Sequence, residues 1–129
     1  MTDEELIEKA KSLVKPRKLR HGLTAADCGS VLVTDQGNVY SGVSIDTTSG
    51  MGFCSEHGAI AAMVTGGEYK IKKIVAVLED GIVLPPCGRC REFMYQIDED
   101  NLDTDVIIKK DKIVKLRELL PYPWDAEDN

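Results

Sequence analysis

Two short segments far apart in the chain carry residues that can act only together, and that requirement narrows the fold more than any other feature. One is Cys54-Ser55-Glu56; the other is Pro86-Cys87-Gly88-Arg89-Cys90. A CxxC pair alone is a weak signal, but the third, upstream cysteine makes a three-thiolate set. Three protein ligands on a tetrahedral zinc leave one position open, as in a catalytic centre. A zinc ion lowers the pKa of a bound water toward ~7, which makes hydroxide available at neutral pH. Glu56 is two residues from Cys54, so it can move protons beside the metal without ligating it.

The elements around these segments follow from periodicity. Thr2-Asp3-Glu4-Glu5 is a capping box, and Leu6, Ile7, Ala10, Leu13 and Val14 follow at helical spacing. Pro16 closes that helix, and Lys15 to His21 reads as a solvated basic connector. Val31 to Thr34 and Val39 to Ile45 read as strands around the turn residues Asp35-Gln36-Gly37-Asn38, a hairpin spanning Gly29 to Ile45. Asp46 to Phe53 is a flexible loop. A helix rich in small residues runs from about Cys54 to Thr65 and stops at Gly66-Gly67. Ile71 to Leu78 is the apolar central strand, and Glu79-Asp80-Gly81 turns the chain away. Arg89 to Ile97 is a helix with Phe93, Met94 and Ile97 facing inward. Strands at Val106 to Ile108 and Ile113-Val114 and a short helix from Leu116 to Leu120 complete the order. This alternation predicts an α/β sandwich around one mixed sheet, a single domain over residues 1–129.

Both metal segments open predicted helices, and the partial positive charge of a helix N-terminus favours a thiolate. Three thiolates and Zn²⁺ sum to −1, so Arg89 or Arg91 is expected to hydrogen-bond a zinc-bound sulfur. Cys28 sits at the start of an apolar strand and reads as core. His57, next to Glu56, is a further potential ligand. A fourth protein donor would turn the centre into a closed structural site.

Composition excludes some partners. The formal net charge is −6. A nucleic-acid binder needs a basic face to replace phosphate counterions, so a small neutral or cationic substrate fits better than RNA or DNA. No run of about 20 apolar residues is present, as a membrane span needs, and the acidic, amphipathic start does not read as a secretory signal. The expected location is cytoplasmic, where four cysteines point to a metal rather than to disulfides.

With Cys54 in the first ligand position, the two segments match the H-x-E…P-C-x-x-C signature of zinc deaminases. Cys28 to Thr34 looks like the first strand of the cytidine deaminase superfamily and Val39 to Val43 like its second. Pro86-Cys87-Gly88-Arg89-Cys90-Arg91, and Arg117-Glu118-Leu119-Leu120-Pro121 with Trp124 behind it, most resemble the blasticidin S deaminases within that superfamily. The resemblance implies a three-layer α/β/α sandwich with a five-stranded mixed sheet. It also implies a homotetramer whose subunits complete one another's active sites. The implied reaction is attack of zinc hydroxide on C4 of a cytosine ring in a nucleoside or analogue such as blasticidin S. Glu56 protonates ring N3 and then the departing ammonia, and the Ser55 backbone N–H holds the ring carbonyl.

The sequence departs from that pattern around the substrate. Ser44-Ile45-Asp46 stands where cytidine deaminases carry Asn-x-Glu for the ribose. Ala26 replaces an aromatic near the base, His57 an arginine, and Ser55 an alanine. Ser44 and Asp46 are candidates for a sugar or a cationic tail, or for loop capping. Phe53 is a candidate pocket wall or a core residue. Trp124 is a candidate wall of its own or a neighbouring subunit's pocket, or a surface anchor. Lys109 to Lys112 reads as a solvated hairpin tip and Asp125 to Asn129 as a disordered tail. Two further functions stay open: deamination of another small aminated heterocycle, such as a pterin or purine, and a zinc-stabilised binding module without catalysis.

Overall fold

The computed structural model describes residues 1–126. The capping box at Thr2 and Glu5 forms in both directions, at 2.8 and 3.1 Å, and starts helix α1 (Asp3–Leu13). Seven strands follow: β1 (Arg17–Lys18), β2 (Thr24–Thr34), β3 (Val39–Asp46), β4 (Ile71–Leu78), β5 (Val83–Leu84), β6 (Asp105–Lys109) and β7 (Lys112–Lys115). Helices α2 (Ser55–Thr65), α3 (Gly88–Ile97) and α4 (Leu116–Leu119) are interspersed.

The strands form one mixed sheet. β3 pairs antiparallel with β2, β2 antiparallel with β4, β4 parallel with β6, and β6 antiparallel with β7. The strand count corrects the five expected from the resemblance. Two-residue β1 pairs with the start of β2, on the edge that β4 takes up further along. Two-residue β5 pairs with β4 beyond the point where the β4–β6 pairing ends. Seven strands therefore share five lanes. The basic connector is also more ordered than a plain loop, because it contains β1 and a 3-10 turn at Arg20–Gly22.

Neighbouring strand residues point to opposite faces and feed two separate cores. On one face Val31, Val75, Val77 and Ile107 pack with Leu6, Ile7 and Ala10 of α1. On the other, Leu32, Ile74 and Val106 pack with Ala59, Ile60 and Met63 of α2, Met94 of α3 and Leu116 of α4. Each fully buried aliphatic side chain contributes about 1.5–3 kcal/mol, so both helical layers are held by apolar burial. Phe93 and Ile97 sit beside the second core as expected, partly buried next to Met94. Among the described residues no helix is long and apolar enough to cross a membrane.

Backbone contact seats α2 on the sheet. A Cβ on Gly42 of β3 would collide with the backbone of Gly58 and Ala59 in α2. Only glycine lets strand and helix approach this closely, and the approach fixes where α2 begins. At the C-terminus, Tyr95 Oη donates to Asp125 at 2.6 Å, so the expected disordered tail is anchored at its first residue. The rest of that expectation beyond Ala126 lies outside the described residues.

Candidate active site

Cys54 is the N-cap of α2 and Cys87 the N-cap of α3. The two helices point their N-termini at each other, and the two sulfurs are 3.5 Å apart. One turn into α3, the buried Cys90 places its sulfur 3.8 Å from Cys87 Sγ. All three sulfurs lie within 4.8 Å of one another, as one metal ion requires. No fourth protein donor joins this group among the described residues. Soft thiolates in threes suit Zn²⁺, and the missing fourth donor is what an open catalytic position needs.

The thiols differ in how readily they ionise. Burial and the neighbouring Cys87 thiol push Cys54 up to about 11. Burial, then the Glu56 carboxylate, pushes Cys90 higher still. Burial acts against Cys87 too, but hydrogen bonding from the Cys90 N–H, then from the neighbouring thiols, outweighs it and lowers the thiol below its ordinary value. Cys87 is thus the thiolate the helix end favours, and zinc would displace protons from the other two.

Glu56 is buried beside the sulfurs without being one of their set. Burial raises its carboxyl above the usual range. Ser55 Oγ donates to Glu56 Oε1 at 3.1 Å, and Cys28 Sγ lies 3.1 Å from Ser55 Oγ. Cys28 N–H in turn donates to Ser44 Oγ at 3.0 Å. Cys28 is therefore a site residue rather than simply core.

These groups open onto a cavity of about 500 Å³, within the range of small-ligand pockets. Ser44, Asp46, Phe53, Ser55 and Arg89 line it, as does the unforeseen Asp27. Asp27 gets there through an irregularity in β2. Ala25 faces Ile45, yet Gly29 faces Val43, so β2 carries two residues more than β3 over that stretch. Ala26 adopts φ 66°, a strained value for a non-glycine residue, and is fully buried away from the cavity. Asp27 and Cys28 take the cavity wall instead. The signal in the chain was the run Ala25-Ala26-Asp27, which breaks strand alternation ahead of Gly29. Thr24 Oγ1 lies 3.1 Å from a carboxylate oxygen of both Asp27 and Asp46, which brings the two acids together at the rim.

Other expected site residues sit differently. Arg89 Nη1 donates to Gly52 O at 3.2 Å, and Arg91 donates to Pro86 O and Leu119 O at 2.8 and 3.1 Å. Neither is hydrogen-bonded to a sulfur; each holds backbone carbonyls instead. His57 Nδ1 stands 3.3 Å from Cys90 Sγ instead. Its ring stacks on Phe93 at 4.4 Å, with Phe53 on a second, looser stack at 6.3 Å. Burial and the Arg89 charge lower the His57 pKa. Trp124 is 71% exposed and lies outside the cavity of its own chain.

A buried carboxylate beside three clustered thiols, at facing helix ends in an α/β/α domain, defines a catalytic-type zinc centre. Residues 1–103 match the family model described as cytidine and deoxycytidylate deaminase zinc-binding region. A probable cytidine deaminase of Dictyostelium discoideum is 30% identical over 78% of this chain and 69% of its own length. The cytidine deaminase of Mycobacterium tuberculosis is 28% identical over 78% of this chain and 74% of its own. In structure, the cytidine deaminase of Burkholderia pseudomallei superposes with a TM-score of 0.77 at 25% identity, covering 96% of this chain and all of its own. The chain belongs to the cytidine and deoxycytidylate deaminase family, and zinc is its cofactor.

Proposed function

We propose that the protein is a zinc-dependent aminohydrolase that deaminates a cytosine nucleoside, cytidine or deoxycytidine. The observation that carries this reading is Glu56, buried against the three-sulfur cluster yet outside it, at the wall of a nucleoside-sized cavity. The family and its cytidine deaminase members support the same substrate class.

Cys54, Cys87 and Cys90 would hold the ion. Zinc, when bound, supplies a water whose pKa falls toward ~7. The remaining work belongs to side chains. Glu56, with its carboxyl raised by burial, would take one proton from that water and deliver it to ring N3, then take the proton of the hydroxyl added at C4 and deliver it to the amino nitrogen, which leaves as ammonia. Ser55 Oγ donates to one carboxylate oxygen, and in this reading the Ser55 backbone N–H donates to the ring carbonyl. Ser44, Asp46 and Phe53 bound the region for the sugar and ring. Arg89 and Arg91 act on the centre through the backbone they hold, not through the sulfurs. The domain works as one unit over residues 1–129, in a cytoplasmic homotetramer in which Trp124, exposed on its own chain, walls a neighbour's pocket.

One observation favours a second reading. Asp27 and Asp46 meet at the cavity rim through Thr24, which suits a nucleoside analogue with a cationic substituent, such as blasticidin S. The test is a panel of cytidine, deoxycytidine, cytosine and blasticidin S offered to zinc-loaded protein, with loss of the amino group followed by absorbance. Turnover of cytidine or deoxycytidine supports the first reading, and turnover of blasticidin S alone the second. Silence on all four moves the substrate to another aminated heterocycle or the protein to a non-catalytic zinc module.

A further inference from the structure

The Ser55 hydroxyl has two partners. It donates to Glu56 Oε1 at 3.1 Å, and Cys28 Sγ also stands 3.1 Å from it. A hydroxyl has one hydrogen to give and two lone pairs to receive with. Sulfur is a weak acceptor and a carboxyl oxygen a good one, so the Ser55 hydrogen belongs to Glu56. The hydrogen between Sγ and Oγ then comes from the thiol. Cys28 keeps that hydrogen at neutral pH, because burial, the largest influence on it, raises the thiol above its ordinary value.

The backbone decides where that thiol points. β2 and β4 run in register through Cys28↔Leu78 and Gly29↔Val77. A Cβ on Gly29 would collide with Ala10 O of α1, so Gly29 faces the α1 layer. Strand neighbours alternate, which turns Cys28 to the opposite face, where it lines the cavity. The Cys28 N–H donates to Ser44 Oγ of β3 at 3.0 Å, a further tie across the bulged stretch. Cys28 is outside the three-sulfur group, so it enters the site as a thiol and not as a ligand.

We propose that Cys28 is a positioning residue of the active site: its S–H donates to Ser55 Oγ and fixes the hydroxyl whose own hydrogen holds Glu56 in place. The inference rests on Glu56 as the proton carrier and on the other three cysteines as zinc ligands, but not on which base is deaminated. It ties the catalytic carboxyl at the start of α2 to the bulged strand β2 through two side chains.

The first test is infrared. With zinc bound, three of the four cysteines are thiolates, so Cys28 supplies the one S–H stretch of the protein. That stretch falls in a window clear of other protein bands and drops in frequency when the thiol donates. A single band is expected, absent from Cys28→Ala and moved to higher frequency in Ser55→Ala. A band that stays in place in Ser55→Ala overturns the assignment of Cys28 alone. Four S–H bands in zinc-treated protein overturn the metal centre, and this inference with it. The spectrum needs no substrate, so a wrong base in the pocket would silence the kinetics and leave the band where it is. The second test is kinetic, on cytidine at matched zinc content. Cys28→Ala should lower kcat roughly 3–10-fold with KM near wild type, as for the loss of one neutral hydrogen bond. Cys28→Ser keeps a donor and should recover most of that loss. In the Ser55→Ala background, Cys28→Ala should cost nothing further, because the bond is already gone. Losses that add, or a loss carried by KM alone, contradict the proposal.

Discussion

Ser55 Oγ donates to Glu56 Oε1 across 3.1 Å, so one oxygen of the candidate proton carrier is held by its neighbour in the chain. Cys28 Sγ sits 3.1 Å from the same hydroxyl. Ser55→Ala removes a hydrogen bond to a charged group, worth about 1.5–3 kcal/mol. If the bond orients Glu56 for proton transfer, kcat falls roughly 10–100-fold while KM stays near wild type, because the backbone N–H remains. Steady-state kinetics at matched zinc content check this. A rise in KM with kcat unchanged would assign Ser55 to substrate binding instead.

Gly42→Ala tests how the fold sets the site. The new methyl has no room against the Gly58–Ala59 backbone, so β3 and α2 must separate. A cost of about 1–3 kcal/mol is expected from urea denaturation, typical of overpacking. Because α2 carries Cys54 at its start, zinc affinity should drop alongside stability.

Metal binding should depend on pH in a defined direction. Cys54 ionises only at about 11 and Cys90 is raised above its ordinary value, so zinc must displace protons near neutrality. Apparent zinc affinity therefore climbs as pH rises through 6 to 8, by up to about tenfold per pH unit for each proton released. Competition with a chromophoric chelator measures it. Stripping the metal should also lower Tm, by an amount equivalent to about 2.7 kcal/mol at a free zinc concentration 100-fold above Kd.

Acid stability is expected to involve Glu68, at the turn end of the β2–β3 hairpin. Hydrogen bonding from Thr34, then Asn38 and Tyr40, holds its carboxyl below the ordinary value. Asn38 Nδ2 and Tyr40 Oη donate to Glu68 Oε2 at 3.0 and 2.9 Å. A lowered folded pKa stabilises the protein above the unfolded value, and that contribution is lost as pH falls through the folded one. Wild type should therefore melt above Glu68→Gln at pH 7, with the gap narrowing as pH drops below about 4.5. Thermal melts across that range check it, and a constant gap would contradict the assignment.

The helices and long strands were legible because their signals are local. The Thr2 capping box, the Gly66-Gly67 stop and the apolar run from Ile71 to Leu78 need no distant partner, and each appears where the chain places it. The metal centre was legible because its residue types are chemically restrictive. What was missed depends on pairing. Arg17–Lys18 and Val83–Leu84 are strands only because β2 and β4 offer free edges beside them. The bulge that turns Asp27 into the cavity is a register mismatch between two strands, of which the chain alone shows only the broken alternation at Ala25-Ala26-Asp27. Arg89 and Arg91 were expected at the sulfurs because charge suggested it. Which carbonyls they meet is a matter of three-dimensional placement.

The most direct test of the account is Glu56→Gln. Gln matches Glu in shape, so the cysteines should still bind one zinc per chain while the proton carrier is gone. Zinc content and cytidine deamination are measured on the same wild-type and variant samples. The account predicts full zinc occupancy and a rate loss of at least about 10²–10⁴-fold, the range of general acid–base catalysis. A variant that binds zinc and deaminates cytidine at the wild-type rate would contradict it.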